Sequence, residues 1–324
     1  MAYREHLFGG NSPSHCSPRR RFLQQISALA AAPGLLAGLE SRAAQTQAAA
    51  QPLPTIQLGP HQISRLVAGS NPLNGYSYLG PHVDKHMKEY FTPDRVIEFL
   101  ENCQRQGITA HQFSTRGASS DVLPILRQRG STLKIICLHS DSKKVKEAAE
   151  AVKPTAMVHH GGVTDKLFSQ GKSSEVHDFV KAAHDCGVLA GVSAHNPDCI
   201  KRVADEGWQV DFFMTCFYFL TRHTLQGGAV HDSPLPLLEI SYPFYKDDPL
   251  TMTKVIREVS QPCLAFKILA AGRRCASQDE VRAAFRFAFE NIKPTDGVIV
   301  GMFPWNFDEI SANVQYTHEF GRNG

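Results

Sequence analysis

The sequence is short of several things, and each shortage excludes a class of protein. No run of eighteen or more apolar residues occurs, which excludes a multi-span membrane protein and leaves no stable membrane span. No Gly-x-Gly-x-x-Gly occurs, so the usual first turn of a doubly wound nucleotide-binding sheet is missing. There is no His-Glu-x-x-His and no Cys-x-x-Cys. The eight cysteines begin with Cys16, and the other seven are scattered and odd in number, which is not a disulfide framework. Cys137, Cys216 and Cys263 lie in apolar runs, as buried small hydrophobes do. Bulk positive charge is lacking too. The first 45 residues carry five arginines and two acids, and the remaining 29 basic and 29 acidic residues balance. That balance argues against a nucleic-acid partner. What is present is an ordinary globular mix, 42% apolar and 20% charged.

The first fifty residues read as an address. Arg19-Arg20-Arg21-Phe22-Leu23 precedes an apolar run from Ile26 to Leu39 that Pro33, Gly34 and Gly38 interrupt. Small residues follow at Ser41, Ala43, Ala44 and Ala48 to Ala50, as a signal peptidase requires. Two arginines, one free position and Phe-Leu resemble a twin-arginine signal, with Pro18 where Ser or Thr is usual. The resemblance implies the twin-arginine export machinery as a partner and a periplasmic or otherwise exported destination. It also implies passage in a folded state, often with a cofactor or metal inserted. Residues 1–50 are thus assigned to signal and linker, and 51–324 to one folded domain.

From about residue 60 to 317, short apolar runs alternate with helical patterns. The runs are Ile63–Gly69, Ile108–Phe113, Leu133–Leu138, Ala156–His159, Leu189–Ser193, Val210–Phe217, Cys263–Leu269 and Gly297–Gly301. Near-continuous apolar runs suit parallel strands covered on both faces. Helix ends are readable between them. Thr92-Pro93 and Asn196-Pro197 each place a cap before a first-turn proline. Ser277 with Glu280, and less typically Asn306 with Glu309, are spaced as capping boxes. Eight units of about 32 residues predict an α/β fold, a single closed (β/α)8 TIM barrel, over an open doubly wound sheet. The longest break in the rhythm, 219–250, marks a functional connection.

In a barrel the chemistry sits at the carboxyl ends of the strands. Four of these ends carry histidine: His111, His139, His159 and His195. Side chains alternate between barrel interior and helix layer, so His159 and His160 cannot both face in, nor His111 and Gln112. The reading places Gln112 and His159 inward. His139, His159 and His195, on neighbouring strands, are then candidate ligands of a divalent metal. A polar mouth of hydrogen-bonded histidines without metal is the competing account. Lys267 interrupts an apolar strand, which is costly unless the ammonium is paired or functional; facing in it could serve a substrate anion, an oxyanion or a Schiff base, and otherwise it snorkels into the helix layer or pairs with an acid. Asp141 lies just past the third strand as a base, a partner of a histidine or a helix cap. Arg273, Arg274 and the Asn306 helix start occupy the corner that commonly binds phosphate in this fold.

Leu58-Gly59 with Ile63-Ser64-Arg65-Leu66, Gly191-Val192-Ser193, Val210-Asp211-Phe212-Phe213 and Ile299-Val300-Gly301-Met302 with Asn313-Val314 resemble segments of the aldo-keto reductase superfamily, across most of residues 56–316. The resemblance implies NADPH-linked carbonyl reduction by an Asp-Tyr-Lys-His tetrad, with Ser193 in the nicotinamide-holding segment. Three tetrad positions are replaced. The Asp falls on Gln112, the Tyr near Gly117 and the Lys at about His139, and only the His is kept, as His159. The nicotinamide-holding Asn and Gln become Ala194 and Met214. Loss of the proton donor removes a contribution of ~10²–10⁴-fold. The leading expectation is therefore an exported barrel enzyme acting on a small polar, sugar-like or carbonyl substrate. Its metal would sit on His139, His159 and His195, with Lys267 or Asp141 assisting. An NADP-dependent reductase with an altered tetrad is the alternative, its cofactor held by Ser193, Arg273, Arg274 and Asn306. A non-catalytic small-molecule binding protein is the second alternative.

Overall fold

The computed structural model describes residues 52–115, 117–222 and 242–322. The expected twin-arginine leader, and most of the 219–250 connection, lie outside the described residues. Two short strands, β1 (Thr55–Leu58) and β2 (His61–Ser64), form an antiparallel hairpin around Gly59, whose φ of +55° suits glycine. Then β3 (Leu66–Gly69), β4 (Ala110–Ser114), β5 (Lys134–His139), β6 (Ala156–His159), β7 (Leu189–Ala194), β8 (Phe212–Cys216), β9 (Cys263–Phe266) and β10 (Gly297–Gly301) follow. These eight are parallel, and they close into a barrel in sequence order, with β10 returning to β3. The helices are α1 (Pro81–Tyr90), α2 (Pro93–Arg105), α3 (Ala118–Gln128), α4 (Val145–Val152) and α5 (Gly161–Ser169). After them come α6 (Ser173–Asp185), α7 (Pro197–Asp205), α8 (Asp248–Glu258), α9 (Gln278–Asn291) and α10 (Glu309–Phe320). The (β/α)8 expectation stands. None of the described helices is long and apolar enough to cross a membrane.

Two apolar clusters build the molecule. Val67, Ala110, Ile136, Val158, Phe212, Met214, Leu264 and Ile299 fill the barrel, with Ile56, Leu58 and Ile63 of the hairpin packed among them. The alternate residues, such as Cys137, Met157, Val192, Phe213 and Ala265, face the helices. The first expected strand is thereby corrected. Ile63 belongs to the hairpin, and Arg65 separates it from β3. The Arg65 guanidinium donates to the carbonyls of Asp296, Gly321 and Lys293, and Asp296 in turn accepts from the Cys263 amide at 2.8 Å. A buried guanidinium needs such partners, and this one ties the residue before β3 to the segment before β10 and to the end of α10.

Thr92, Asn196 and Ser277 each accept an amide proton from the first turn of their helix, as their sequences predict. The Asn306–Glu309 box does not form. Asp308 caps α10 by accepting from Ser311, and the Glu309 carboxylate accepts from the Phe303 amide at 2.7 Å.

Candidate active site

A cavity of about 610 Å³ opens at the carboxyl ends of β3, β4, β9 and β10. Its wall includes Gln112, Phe266, Lys267, Ser277 and Asn313, with Tyr78 from the connection between β3 and α1. Gln112 faces this space, as expected. His111 points the other way, with Nδ1 2.9 Å from the Ala68 carbonyl and Nε2 2.9 Å from the Ser119 hydroxyl.

Lys267 donates from Nζ to the Tyr78 hydroxyl at 3.1 Å, with the ammonium 4.2 Å from the centre of the same ring. Both residues have φ of +61°, a left-handed conformation that L-residues adopt at a cost of about 1–2 kcal/mol each. Their surroundings hold them there. The Arg273 guanidinium donates to the Tyr78 carbonyl at 3.0 Å and stacks 4.0 Å over Phe244, whose ring edge meets that of Tyr78. Lys267 lines the cavity, which decides between the inward place and the helix layer that its interruption of an apolar run left open. Tyr78 was missed by the sequence reading. The signal available was a Tyr-Ser-Tyr-Leu stretch enclosed by Gly75 and Gly80 in a long connection above the first barrel strand.

The three-histidine site is not assembled. Among the described residues no three His, Cys, Asp or Glu side chains are grouped to hold a metal ion. The register explains why. His139 pairs with His159, and His159 with Val192, so the two histidines share the face that Val192 turns to the helices. Both rings lie against Phe179 of α6, at 6.5 and 5.1 Å, and His159 Nδ1 is 2.7 Å from the Thr164 hydroxyl. His195, three residues beyond Val192, is on the opposite face and alone of the three meets a cavity-lining side chain, the ring of Phe266. The inward member of the other pair is therefore His160, which is solvent-exposed. The protein packed around its ring, then the neighbouring His195 and Lys267, lower its pKa, against the Asp165 carboxylate. Burial pushes His111 and His159 down to about 4, so both are neutral imidazoles at pH 7.

His195 is bound to a residue the sequence reading did not single out. Its Nδ1 is 3.0 Å from Asp165 Oδ2, and its backbone amide donates to the same carboxylate. Asp165, fully buried on α5, also accepts from the Asn196 amide and from the Thr221 hydroxyl at 2.8 Å. An acid inside an otherwise small and apolar helix start, Gly161-Gly162-Val163-Thr164-Asp165, was the available signal.

The remaining expectations are corrected by what each side chain touches. Asp141 caps the turn at Ser142–Lys144 by accepting from the Lys143 amide, and takes no place in the cavity wall. Arg273 is committed to the Tyr78 segment. Arg274 stands at the Tyr218 hydroxyl, whose pKa burial raises against that influence. Neither arginine lines the cavity, so the expected phosphate corner is not built from them. Asn306 does line it, at the exposed rim. Ser193 faces inward beside Gly161 and is 1% exposed.

No family model matches the sequence, and no curated relative does. Solved structures of aldo-keto reductases and of other TIM-barrel enzymes are similar in fold. A glycerol dehydrogenase from Gluconobacter oxydans is 11% identical, over 82% of this chain and 94% of that one, with a TM-score of 0.49. An aldo-keto reductase from Bacillus halodurans is 13% identical over 82% and 90%, with a TM-score of 0.48. A truncated 3-deoxy-D-arabino-heptulosonate 7-phosphate synthase from Thermotoga maritima is 13% identical over 83% and 91%, at 0.47. Reductases and a synthase match equally well, so the likeness is one of architecture.

Proposed function

We propose that this chain is an NADP(H)-dependent oxidoreductase of the aldo-keto kind, reducing a small polar carbonyl compound at the barrel mouth. The observation that carries the reading is the Tyr78 hydroxyl 3.1 Å from the Lys267 ammonium, inside a cavity of about 610 Å³. The family's own phenol and amine positions, near Gly117 and at His139, do not supply this pair. Here the phenol comes from the β3–α1 connection and the ammonium from the end of β9. A phenol that accepts from an ammonium keeps its own proton free to donate to a substrate oxygen, and the cation stabilises the phenolate left behind.

The cavity has the size of a cofactor site. Ser277, Gln278 and Val281 bring the first turn of the fourteen-residue α9 into its wall, and such a turn offers amides to phosphate. Those residues would hold the phosphates, with Gln112 and Lys267 at the reacting end. Bound NADPH supplies hydride. Lys267 is the one lysine or arginine among the described residues of the wall, which favours a nucleotide held by amides over one gripped by arginine.

The test is titration with NADPH and NADH, followed through fluorescence of Trp305, which neighbours the wall residues Phe303 and Asn306. Saturable quenching is expected. No quenching by either nucleotide up to about 1 mM, the upper end of ordinary cofactor and substrate affinities, would sink the reading. The leader supports a second part of the proposal, export of the folded protein through the twin-arginine route. Replacing Arg19 and Arg20 together with lysine should retain the protein in the cytoplasm, read by fractionation.

A further inference from the structure

The Asp165–His195 pair has no part in donating a proton from Tyr78, and its construction is that of a base. Asp165 accepts from the amides of His195 and Asn196 and from the Thr221 hydroxyl, and with the carboxylate as acceptor toward the ring the imidazole proton lies on Nδ1 and the lone pair on Nε2. Nε2 makes no hydrogen bond to any described residue, although the His195 side chain is 11% exposed. Two glycines lie beside the Cε1 edge of the ring, where a side chain would crowd it. A Cβ at Gly161 would stand 3.3 Å from His195 Cε1 and 2.9 Å from Ser193 Oγ, and one at Gly162 would stand 4.0 Å from the same Cε1. His195 is not among the residues that line the cavity; it meets the lining residue Phe266, whose ring has His195 at 5.8 Å and the Lys267 ammonium at 5.2 Å. His160 lies where both are felt. An oriented base and a cation thus share one apolar ring beside the cavity.

We infer that His195, positioned by Asp165, is a catalytic base for proton transfer at the carbon next to a substrate carbonyl. This is an activity distinct from hydride transfer, on α-hydroxy aldehydes and ketones. It shares with the reading above only the carbonyl seat at Lys267 and Tyr78. His195 Nε2 takes the proton as the C–H bond breaks. That electron pair forms the C=C bond of an enediolate, and the carbonyl π pair moves onto oxygen beside the Lys267 ammonium. Return of a proton from the imidazolium to the same carbon completes an exchange with solvent. Return to the neighbouring carbon, with the hydroxyl proton passing between the two oxygens, completes an isomerisation. Both are redox-neutral and need no nucleotide.

The experiment measures loss of the carbon-bound proton signals of dihydroxyacetone, D-erythrulose and D-fructose in D2O by NMR, with the full chain and without nucleotide. The expected result is exchange above buffer on at least one probe. It should fall about 100-fold in His195→Ala, within the range for loss of an acid–base group. Added imidazole should restore it in His195→Ala but not in Asp165→Asn/His195→Ala, because the freed imidazole then lacks its orienting carboxylate. NADPH titration of each variant establishes that it folds; if nucleotide binding is absent throughout, circular dichroism does so instead. No exchange on any probe, or undiminished exchange in folded His195→Ala, overturns the inference. Exchange without NADPH binding upholds it while overturning the reductase reading, and NADPH binding without exchange does the reverse.

Discussion

Tyr78 and Lys267 meet in backbone conformations that neither residue adopts for its own sake. The pairing is therefore a product of the surroundings, chiefly Arg273 on the Tyr78 carbonyl and the aromatic rings about it. Tyr78→Phe removes the acidic proton and the oxygen that accepts from Lys267, and keeps the ring under the ammonium. It should lower the rate of carbonyl reduction about 100-fold while leaving NADPH affinity within about twofold, measured by steady-state kinetics and titration. Lys267→Asn should separate function from stability. Asparagine accepts the left-handed region more readily, so relief of about 1 kcal/mol should raise the melting temperature by about 2 °C while reduction is lost. A fall in melting temperature would show that the ammonium's contacts with the Tyr78 and Phe266 rings outweigh the backbone strain.

At the scale of elements, the pleat decides which side chains meet. His139 and His159 pair across β5 and β6, and both look outward because Leu138 and Val158 look in. One residue's displacement along β6 exchanges His159 for His160. The periodic pattern fixes that two neighbours oppose each other without fixing which is inside. Space inside the barrel is equally local. A methyl at Gly191 would come within 2.7 Å of the Phe212 ring on the neighbouring strand. Gly191→Ala should cost about 1–3 kcal/mol, seen as a lower midpoint in denaturant, and Gly191→Ala with Phe212→Leu should recover much of it. Helix starts were legible at Thr92, Asn196 and Ser277 because a cap needs only residues adjacent in the chain. Asn306 misled because Asp308, two residues on, competes for the same role.

At the scale of the whole molecule, neutral imidazoles are part of the packing. In the unfolded chain a histidine takes its proton near pH 6.5, whereas folded His111 and His159 take theirs only at about 4. Between those values the unfolded state binds more protons, so stability falls as pH falls from 6.5 toward 4 and levels off below. Melting temperatures measured across that range should show the decline. His111→Gln or His159→Gln should flatten it, at some cost in stability at pH 7 for the lost contacts with Ser119 or Thr164. An equally steep decline in both variants would place the titrating groups elsewhere.

The alternation of eight barrel strands with helices and the caps at Thr92, Asn196 and Ser277 followed from the residues in line, because strand periodicity and capping depend on neighbours in sequence. That Lys267 needs a partner was legible for the same reason, since an ammonium interrupting an apolar run is costly alone, but whether it turns to the cavity or to the helix layer was not. Who that partner is, and which histidine meets a cavity-lining side chain, were decided only when the barrel closed. Tyr78 lies 189 positions from Lys267, and Asp165 lies 30 from His195. Distances of that kind are set by the register of eight strands and by the path of their connections, to which no local pattern of residues is sensitive.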